Sequence, residues 1–553
     1  MLSIKNLTKT YPGGTRALHG VSLKSIWRNE RAPEGVARGK AQVQHRKFDP
    51  GIRDQFQAHA CRDRCLQQKD RPQSVVRHRS HFVVAPVLLI LIFPVFATGQ
   101  AKEGAWSKKK SPWVSLSPAE RTQVQDFSED YKQYLDVARS ALGSTKEVTR
   151  RAKAAGFAEF SKPEQVKPGA RLIIPNRERS LILAVIGSEP ITGGSHVIGT
   201  HHDSPHIELK GRPILAAGDF AMFKTIYYGG IKKYQWVNRP LALIGRIDTS
   251  DGRTVDVAIG MRPSEPVFVI PDSAPHSDQE LRKRTYTEVF RGEELEPVIG
   301  SIPGEDSSAT AQVTKLLTDT YRIKEEDLVS SELSLVPAEP PADVGFDRGL
   351  VGAYGQDDRL SSFCAARAIL DLKGTPRYTA LAYLSNFEEV GSVNNTGARS
   401  EFLSSTFAQL VAAQRGGAYN DLDLRRALHQ SLVISADAND GINPIFPDTS
   451  EHTNAARVGY GVVIKLYGPG FDAPSEFTAQ IRGLMDRNNI CWQTHTYKVD
   501  EGGGGTIGLF MAQQDMQVID LGVALLSMHA PFEMSSKVDV WEFYRMMSVF
   551  YSQ

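Results

Sequence analysis

The sequence predicts an α/β fold: a mostly parallel central sheet flanked by helices, with an inserted β-rich domain. Three observations carry this. Beyond about residue 341, apolar strand-like runs alternate with segments of helical period, the order of a parallel sheet covered by helices. Residues 207–340 read instead as hairpins. Several apolar runs stop at His, Asp or Glu, and open α/β sheets bind ligands outside the carboxyl ends of their strands.

In chain order, residues 115–142 carry helix-like spacing, with a cap at Ser117 ahead of Pro118 and Glu120. Residues 181–186 and 197–200 read as strands. Residues 241–247 and 255–259 flank a Ser250-Asp251-Gly252 turn, a hairpin signal, and 267–270 read as one more strand. Pro337, Pro340 and Pro341 mark the exit from the insertion. Residues 357–372 are helical, with Leu360, Phe363, Cys364 and Ala368 on one face and Gly374 to close the helix. There follow a strand at 379–385, a helix at about 399–415, a strand at 431–435 and a helix at 474–487. A last helix, near 538–551, sets Trp541, Tyr544, Met547 and Tyr551 at core spacing.

A chain of 553 residues is long enough for about two to four domains. Its net charge of +2 argues against nucleic acid as a partner. The four cysteines (Cys61, Cys65, Cys364, Cys491) are too scattered for a disulfide framework. Cys61 and Cys65 lie near His59 but lack a second ligand pair at zinc-finger spacing. Residues 1–23 resemble the opening strand of an ATP-binding-cassette transporter ATPase, yet no GxxxxGK[ST] loop occurs, so no nucleotide is expected. Residues 24–80 are rich in Arg and Gln without sustained period, so 1–80 reads as a disordered or mis-joined segment. Residues 81–104 are signal-like: an apolar run at 82–97 follows Arg77, His78, Arg79 and His81 and ends in Ala97-Thr98-Gly99. That run is short of the roughly 20 residues of a membrane span. Export or membrane anchoring follows if 82–99 acts as a signal.

The chemistry gathers at predicted strand ends. Glu388-Glu389 follows the strand at 379–385. Neighbours on an extended chain point in different directions, so one carboxylate can bind a metal while the other faces the metal's water. Alone, such a pair is more often a solvated turn; five further segments change that reading. In His201-x-Asp203 the imidazole can ligate while Asp203 holds its other nitrogen. Asp357 opens a helix, where the dipole favours a carboxylate. Asp437 follows the strand at 431–435, and His529 follows an apolar run at 518–526. The Gly502–505 run with Thr506 lets backbone approach a substrate closely. Two imidazoles and several carboxylates suit zinc, cobalt or manganese. With Asp357 bridging, two divalent ions are neutralised by Asp357, Glu389, Asp437 and one hydroxide, and such a site lowers the pKa of its water to about 7.

Six segments, GTHHDSP, YGQDDR, NFEEVGS, ISAD, VDEGGGGTIG and LSMH, occur in that order. They resemble the aspartyl aminopeptidase-like family of dinuclear zinc metalloaminopeptidases, its bacterial branch above all, over about residues 105–553. The resemblance implies a zinc-peptidase-like catalytic domain in two parts, 105–206 and 341–553, split by an assembly domain at 207–340. It implies hydrolysis of the N-terminal residue of short peptides by a water activated between two metal ions. His201, Asp357 and Asp437 would bind one ion; Asp357, Glu389 and His529 the other. Zinc is the expected metal, with cobalt and manganese as alternatives. Glu388 would be the general base and pass its proton to the leaving amine, with Asp203 orienting His201. Lys465, Gly505, Thr506 and Met528 would line the substrate pocket, and His276 would reach a neighbouring subunit's site. Family members form dodecamers that enclose their active sites, which implies a homo-oligomer, peptide substrates and a cytoplasmic location. Eukaryotic members carry two histidines after Ser-Ala-Asp; here Asp440 and Asn443 fall there, so acidic-residue specificity does not carry over. The loop at 468–474 is shorter than the branch pattern, and nothing before about residue 105 matches. The rival readings are a related dinuclear hydrolase (carboxypeptidase or deacylase), a transporter ATPase fragment suggested by residues 1–23, and an inactive scaffold.

Overall fold

A computed structural model of the chain describes residues 2–10, 16–25, 110–304, 308–468 and 471–553. The chain divides into two compact units, 1–97 and 98–553. In the first, Leu2–Thr10 and Arg16–Ser25 form an antiparallel hairpin. The Cys61/Cys65 pair and the apolar run at 82–97 lie outside the described residues.

The second unit is built on a nine-stranded mixed sheet. Its order is Trp492–His495, Val462–Lys465, Gln517–Gly522, Leu432–Ala436, Ser195–His201, Thr379–Ser385, Ser180–Val185, Arg171–Asn176 and Ala158–Glu159. The four strands from Gln517–Gly522 to Thr379–Ser385 run parallel, so their carboxyl ends open on one side. Antiparallel pairings flank them. Ser195–His201 and Thr379–Ser385 are buried at every position, as strands covered on both faces must be. On one face pack Phe127, Phe363, Phe543 and Phe550; on the other, Phe407, Leu410 and Met511.

A six-stranded antiparallel sheet comprises Thr254–Ile259, Leu241–Asp248, Ser331–Pro337, His206–Ala217, Phe220–Tyr228 and Val298–Gly300. It has its own core around Trp236, Leu243, Leu333 and Leu335. The predicted hairpin forms with Asp248 opposite Thr254. Residues 267–270 do not become a strand: they make only single bridges, Phe268 to Leu241 and Val269 to Val298. Pro266 and Pro271 bracket this segment and cannot donate to a ladder. A five-stranded sheet joins Ala342–Val344, Leu350–Ala353, Glu533–Ser536, Ala524–Leu526 and Asn439–Asp440.

The helix read over 115–142 is two helices, Pro118–Val137 and Ala141–Ala154. Ser117 and Glu120 form a capping box at the start of the first. The Ser140 hydroxyl accepts the Gly143 N–H and starts the second, which breaks the run. The helix Gln356–Asp371 holds non-helical backbone at Asp357 and Asp358, so regular helix begins only after them. Asp357 therefore stands ahead of the first turn rather than in it. In the helix Lys537–Tyr551 the buried stripe is Phe543, Met546, Met547, Phe550 and Tyr551, while Trp541 and Tyr544 lie partly exposed at its flank. No helix among the described residues is long and apolar enough to cross a membrane.

Phe363 ties the helix Gln356–Asp371 to Pro118–Val137, with ring centroids 5.2 Å from Phe127 and from Tyr131 and 5.4 Å from Tyr134. It is 1% exposed. Phe363→Ala is expected to destabilise the unit by about 3–5 kcal/mol, read from chemical denaturation. A loss below about 1 kcal/mol would contradict this packing.

Candidate metal centre

The parallel strands deliver the site. His201 ends Ser195–His201, Asp437 directly follows Leu432–Ala436, and Glu388 and Glu389 lie just past Thr379–Ser385. Asp357 arrives from the non-helical backbone that opens Gln356–Asp371, continuous with the loop before it. At Gly355 that loop takes φ +71, and a Cβ there would meet the Arg359 guanidinium. Arg359 is itself buried and donates to Gly355 O at 3.0 Å and to Ala138 O at 2.6 Å. The backbone of Asp357 is held at both ends. Its N–H donates to Glu533 Oε2 at 3.1 Å, and its carbonyl accepts from the Ser204 hydroxyl. The Asp357–Asp358 peptide is cis.

Two trios of metal-type side chains result: His201, Asp357 and Asp437, and Asp357, Glu389 and His529. In each, one donor atom per residue lies within 4.8 Å of the others. His201 Nε2 is 3.4 Å from Asp357 Oδ1 and 3.4 Å from Asp437 Oδ1. His529 Nε2 is 3.3 Å from Asp357 Oδ2 and 3.3 Å from Glu389 Oε2. Asp357 thus turns one oxygen to each imidazole. Glu388 belongs to neither trio; its Oε2 is 3.9 Å from His201 Nε2.

The electrostatics of the two trios favour positive charge. Burial works against a charge on either imidazole, yet the carboxylates around them prevail. They hold His201 well above its usual range and His529 at about 10. Burial, then Asp437, Asp203 and Asp357, push the Glu388 carboxyl up to about 7, against the pull of His201. Burial also pushes Glu389 well up. A field that keeps protons on two buried imidazoles favours any cation placed there. Among the described residues, the buried oxygens Asp357 Oδ1 and Glu389 Oε1 have no hydrogen-bond partner. Two imidazoles, hard carboxylate oxygens and these orphan atoms fit a pair of divalent cations.

Asp203 does more than accompany His201. His201 Nδ1 lies 3.4 Å from its carboxylate and 3.2 Å from its carbonyl oxygen, so both partners of Nδ1 are acceptors. The Asp203 carboxylate also accepts the backbone N–H of Glu388 and of Glu389, each at 3.2 Å, and the Tyr228 hydroxyl at 2.6 Å. Burial would raise its pKa, but these donors and His201 hold it below the usual carboxylate range. This corrects the sequence reading of Glu388-Glu389. The two carboxylates diverge on a single 3-10 turn, Glu388–Val390, and not on extended chain. Phe387 enters that turn at φ 62 and Gly391 leaves it at φ 93.

A cavity of about 740 Å³ opens over the centre. It is lined by Lys465, Gly505, Thr506 and Met528 together with the residues of both trios and Glu388. Lys465 Nζ donates to Asp437 Oδ2 at 3.1 Å and Ala438 O at 2.7 Å. Burial disfavours its charge, but Asp437 and its neighbours hold it above the ordinary lysine range. Thr506 donates to Asp520 Oδ1 at 2.9 Å. His276 is exposed and does not line this cavity.

Sequence reasoning missed Glu533, Asp358 and Tyr228. Glu533 accepts the His529 N–H at 2.7 Å as well as that of Asp357, and burial pushes its carboxyl up to about 8. Asp358 accepts the Ala438 N–H at 3.2 Å, beside Asp437. Asp358 stands next to Asp357 with no local sign of a separate role, and nothing in the residues around Glu533 or Tyr228 sets either apart from other acids and tyrosines of the chain.

The family model described as "Aminopeptidase I zinc metalloprotease (M18)" matches residues 134–551. A probable M18 family aminopeptidase 1 of Borrelia garinii subsp. bavariensis is 40% identical over 457 residues, 81% of this chain and 100% of the relative. The crystal structure of an M18 family aminopeptidase from Thermotoga maritima aligns with a TM-score of 0.76 at 36% identity, over 80% of this chain and 99% of that one. The structure titled S. cerevisiae mApe1 dodecamer shares the fold at TM-score 0.65 and 20% identity, over 77% of this chain and 97% of that one.

Zinc added to metal-free protein is expected to raise the unfolding midpoint, since it binds only where the trios are assembled. At a hundredfold excess over Kd the gain is about 2.7 kcal/mol for each site filled. His529→Ala is expected to halve the zinc bound per chain, measured by elemental analysis. Full zinc content in that variant would remove His529 from the ligand set.

Proposed function

The chain belongs to the aminopeptidase I family of zinc metalloproteases, M18, and on that premise we propose how its residues share the work of removing the N-terminal residue from short peptides. The observation that carries the reading is two His-carboxylate trios joined through Asp357, with Glu388 beside them and committed to neither. His201, Asp357 and Asp437 would hold one divalent cation, and Asp357, Glu389 and His529 the second. Bound there, the cations supply Lewis acidity, which polarises a carbonyl and lowers the pKa of a water from 15.7 to about 7.

Glu388 acts as general base and then as general acid. Its carboxylate takes the proton of the attacking water and returns it to the leaving amine nitrogen as the C–N bond breaks. One carboxyl group thus closes the cycle. It faces the cavity and belongs to neither trio, which leaves its oxygens free to accept and release a proton. Asp203 sets its position through the backbone N–H of Glu388. Lys465 fixes Asp437, and Gly505, Thr506 and Met528 border the substrate.

The cavity favours a free amine over a free carboxylate at the substrate's end. Both lysines of its lining are paired: Lys465 with Asp437 at 3.1 Å, and Lys498 with Glu501 at 3.0 Å. A carboxypeptidase needs a spare cation for the C-terminal carboxylate, and neither lysine is spare.

The sheet spanning 206–337 is the assembly domain in this reading. It exposes Phe220, Ile226, Tyr227 and Tyr286, at 46–61%. Likeness to a structure titled a dodecamer supports a homo-oligomer of that size, in which the exposed His276 would serve a neighbouring chain's cavity.

Glu388→Gln is expected to lower kcat by about 10²–10⁴-fold with zinc content unchanged. Undiminished turnover would reject Glu388 as the base. Peptides with a free amine should be cleaved and their N-acetylated forms left intact. Equal rates on both would point to the deacylase or carboxypeptidase reading instead.

A further inference from the structure

The strand Phe220–Tyr228 belongs to the six-stranded sheet, where Tyr228 pairs with His206. Its end nevertheless reaches the metal centre. The Tyr228 hydroxyl donates to Asp203 Oδ2 at 2.6 Å. Two residues on, Gly230 O lies 3.0 Å from His529 Nδ1. A carbonyl only accepts, so Nδ1 carries a proton, and Nε2, which faces Asp357 and Glu389, is the nitrogen that would ligate a cation. Asp203, in turn, holds the backbone N–H groups of Glu388 and Glu389. Gly229 closes the gap between the two contacts. It takes φ +72, and a Cβ there would come to 3.2 Å from Pro205 and 3.3 Å from the Cβ of Glu389.

Tyr228 does not line the main cavity. It borders a separate space of about 120 Å³, together with Asp203 and Phe387, and its ring stacks on His206 at 4.5 Å. It is therefore placed to act on Asp203 and not on a substrate.

We propose that Tyr228-Gly229-Gly230 is a positioning clamp by which the inserted sheet sets the cation affinity of the centre. The clamp rests on the ligand roles given above to His529 and Glu389. It adds to them that the β-rich insertion, through Tyr228 and Gly230, helps to build the site rather than serving assembly alone. Because Tyr228 is paired within that sheet, a shift of the sheet moves the groups that hold Asp203 and His529.

Tyr228→Phe removes the hydroxyl and keeps the stacked ring. Zinc affinity, measured by chelator competition, is expected to fall about 10–100-fold. At fixed zinc, kcat should fall with KM unmoved. The visible absorption of the cobalt-loaded protein should shift, which a loss of stability alone would not produce. Gly229→Ala, which presses on Glu389, should weaken zinc binding as well. Wild-type zinc affinity and an unshifted cobalt spectrum in both variants would overturn the clamp, and so would a lowered metal-free midpoint with zinc affinity intact. His529→Ala separates the two levels. If it loses zinc while Tyr228→Phe does not, the clamp falls and the ligand roles stand. If it keeps all its zinc, the ligand roles fall first.

Discussion

A crowd of buried carboxyl groups is the constraint to which this fold is shaped. Asp203, Asp357, Asp358 and Glu533 are each at most 4% exposed, and all crowd one end of the central sheet. Removing an ionised carboxylate from water costs several kcal/mol unless charge and hydrogen bonds replace the lost solvent. The chain replaces it in three ways. Backbone N–H groups of Glu388, Glu389, Asp357, His529 and Ala438 are aimed at carboxylate oxygens. Two imidazoles sit among the acids, and Lys465 is buried against Asp437. What these leave unanswered are single oxygens of Asp357, Asp358 and Glu389; Asp357 and Glu389 belong to the trios, where a cation would fit.

The sheet topology explains how so many groups meet. Parallel neighbours end on the same side, so His201, Glu388, Glu389 and Asp437 arrive together without long excursions of chain. The five-stranded sheet adds the rest. It seats Glu533–Ser536 beside Leu350–Ala353 and Ala524–Leu526, and so brings Glu533 to the backbones of both Asp357 and His529. Each trio thus draws on both sheets: His201, Asp437 and Glu389 stand at ends of the central strands, Asp357 and His529 follow strands of the five-stranded sheet, and Glu533 aligns the backbones of the last two. This arrangement is consistent with hydrogen-bond partners around a metal site mattering almost as much as the ligands.

Much of this could be read before any fold was known, and the boundary is physical. Strand ends are legible because an apolar run stops at a residue that cannot remain buried alone. His201, Asp437 and the Glu388-Glu389 pair all stand at such stops. Glu533 was not legible, because its partner Asp357 lies 176 residues away and no local pattern encodes that meeting. Tyr228 reads as one more residue of a strand until the strand is seen to end against Asp203. Local chemistry that competes with a periodic pattern misled in the same way. Ser140 restarts a helix the spacing would have run through, and two prolines cap a segment whose composition is that of a strand.

The adjacent glutamates show most clearly why the site needs its surroundings. Glu388 and Glu389 are chemically identical and share a turn, so nothing intrinsic assigns their roles. Position does. The Glu389 side chain is 5% exposed and reaches to 3.3 Å of His529 Nε2, which commits it to the second trio. The Glu388 side chain is 19% exposed, stands 3.9 Å from the nearest imidazole nitrogen and faces the cavity. A group that must take a proton and return it needs that freedom, since a carboxylate locked to a cation would hold its charge and release nothing. The difference traces to Asp203, which grips both backbone N–H groups and so fixes the rotation of the turn. In the proposed mechanism one buried aspartate, itself held by Tyr228, would thereby decide which glutamate binds a cation and which is left to transfer protons.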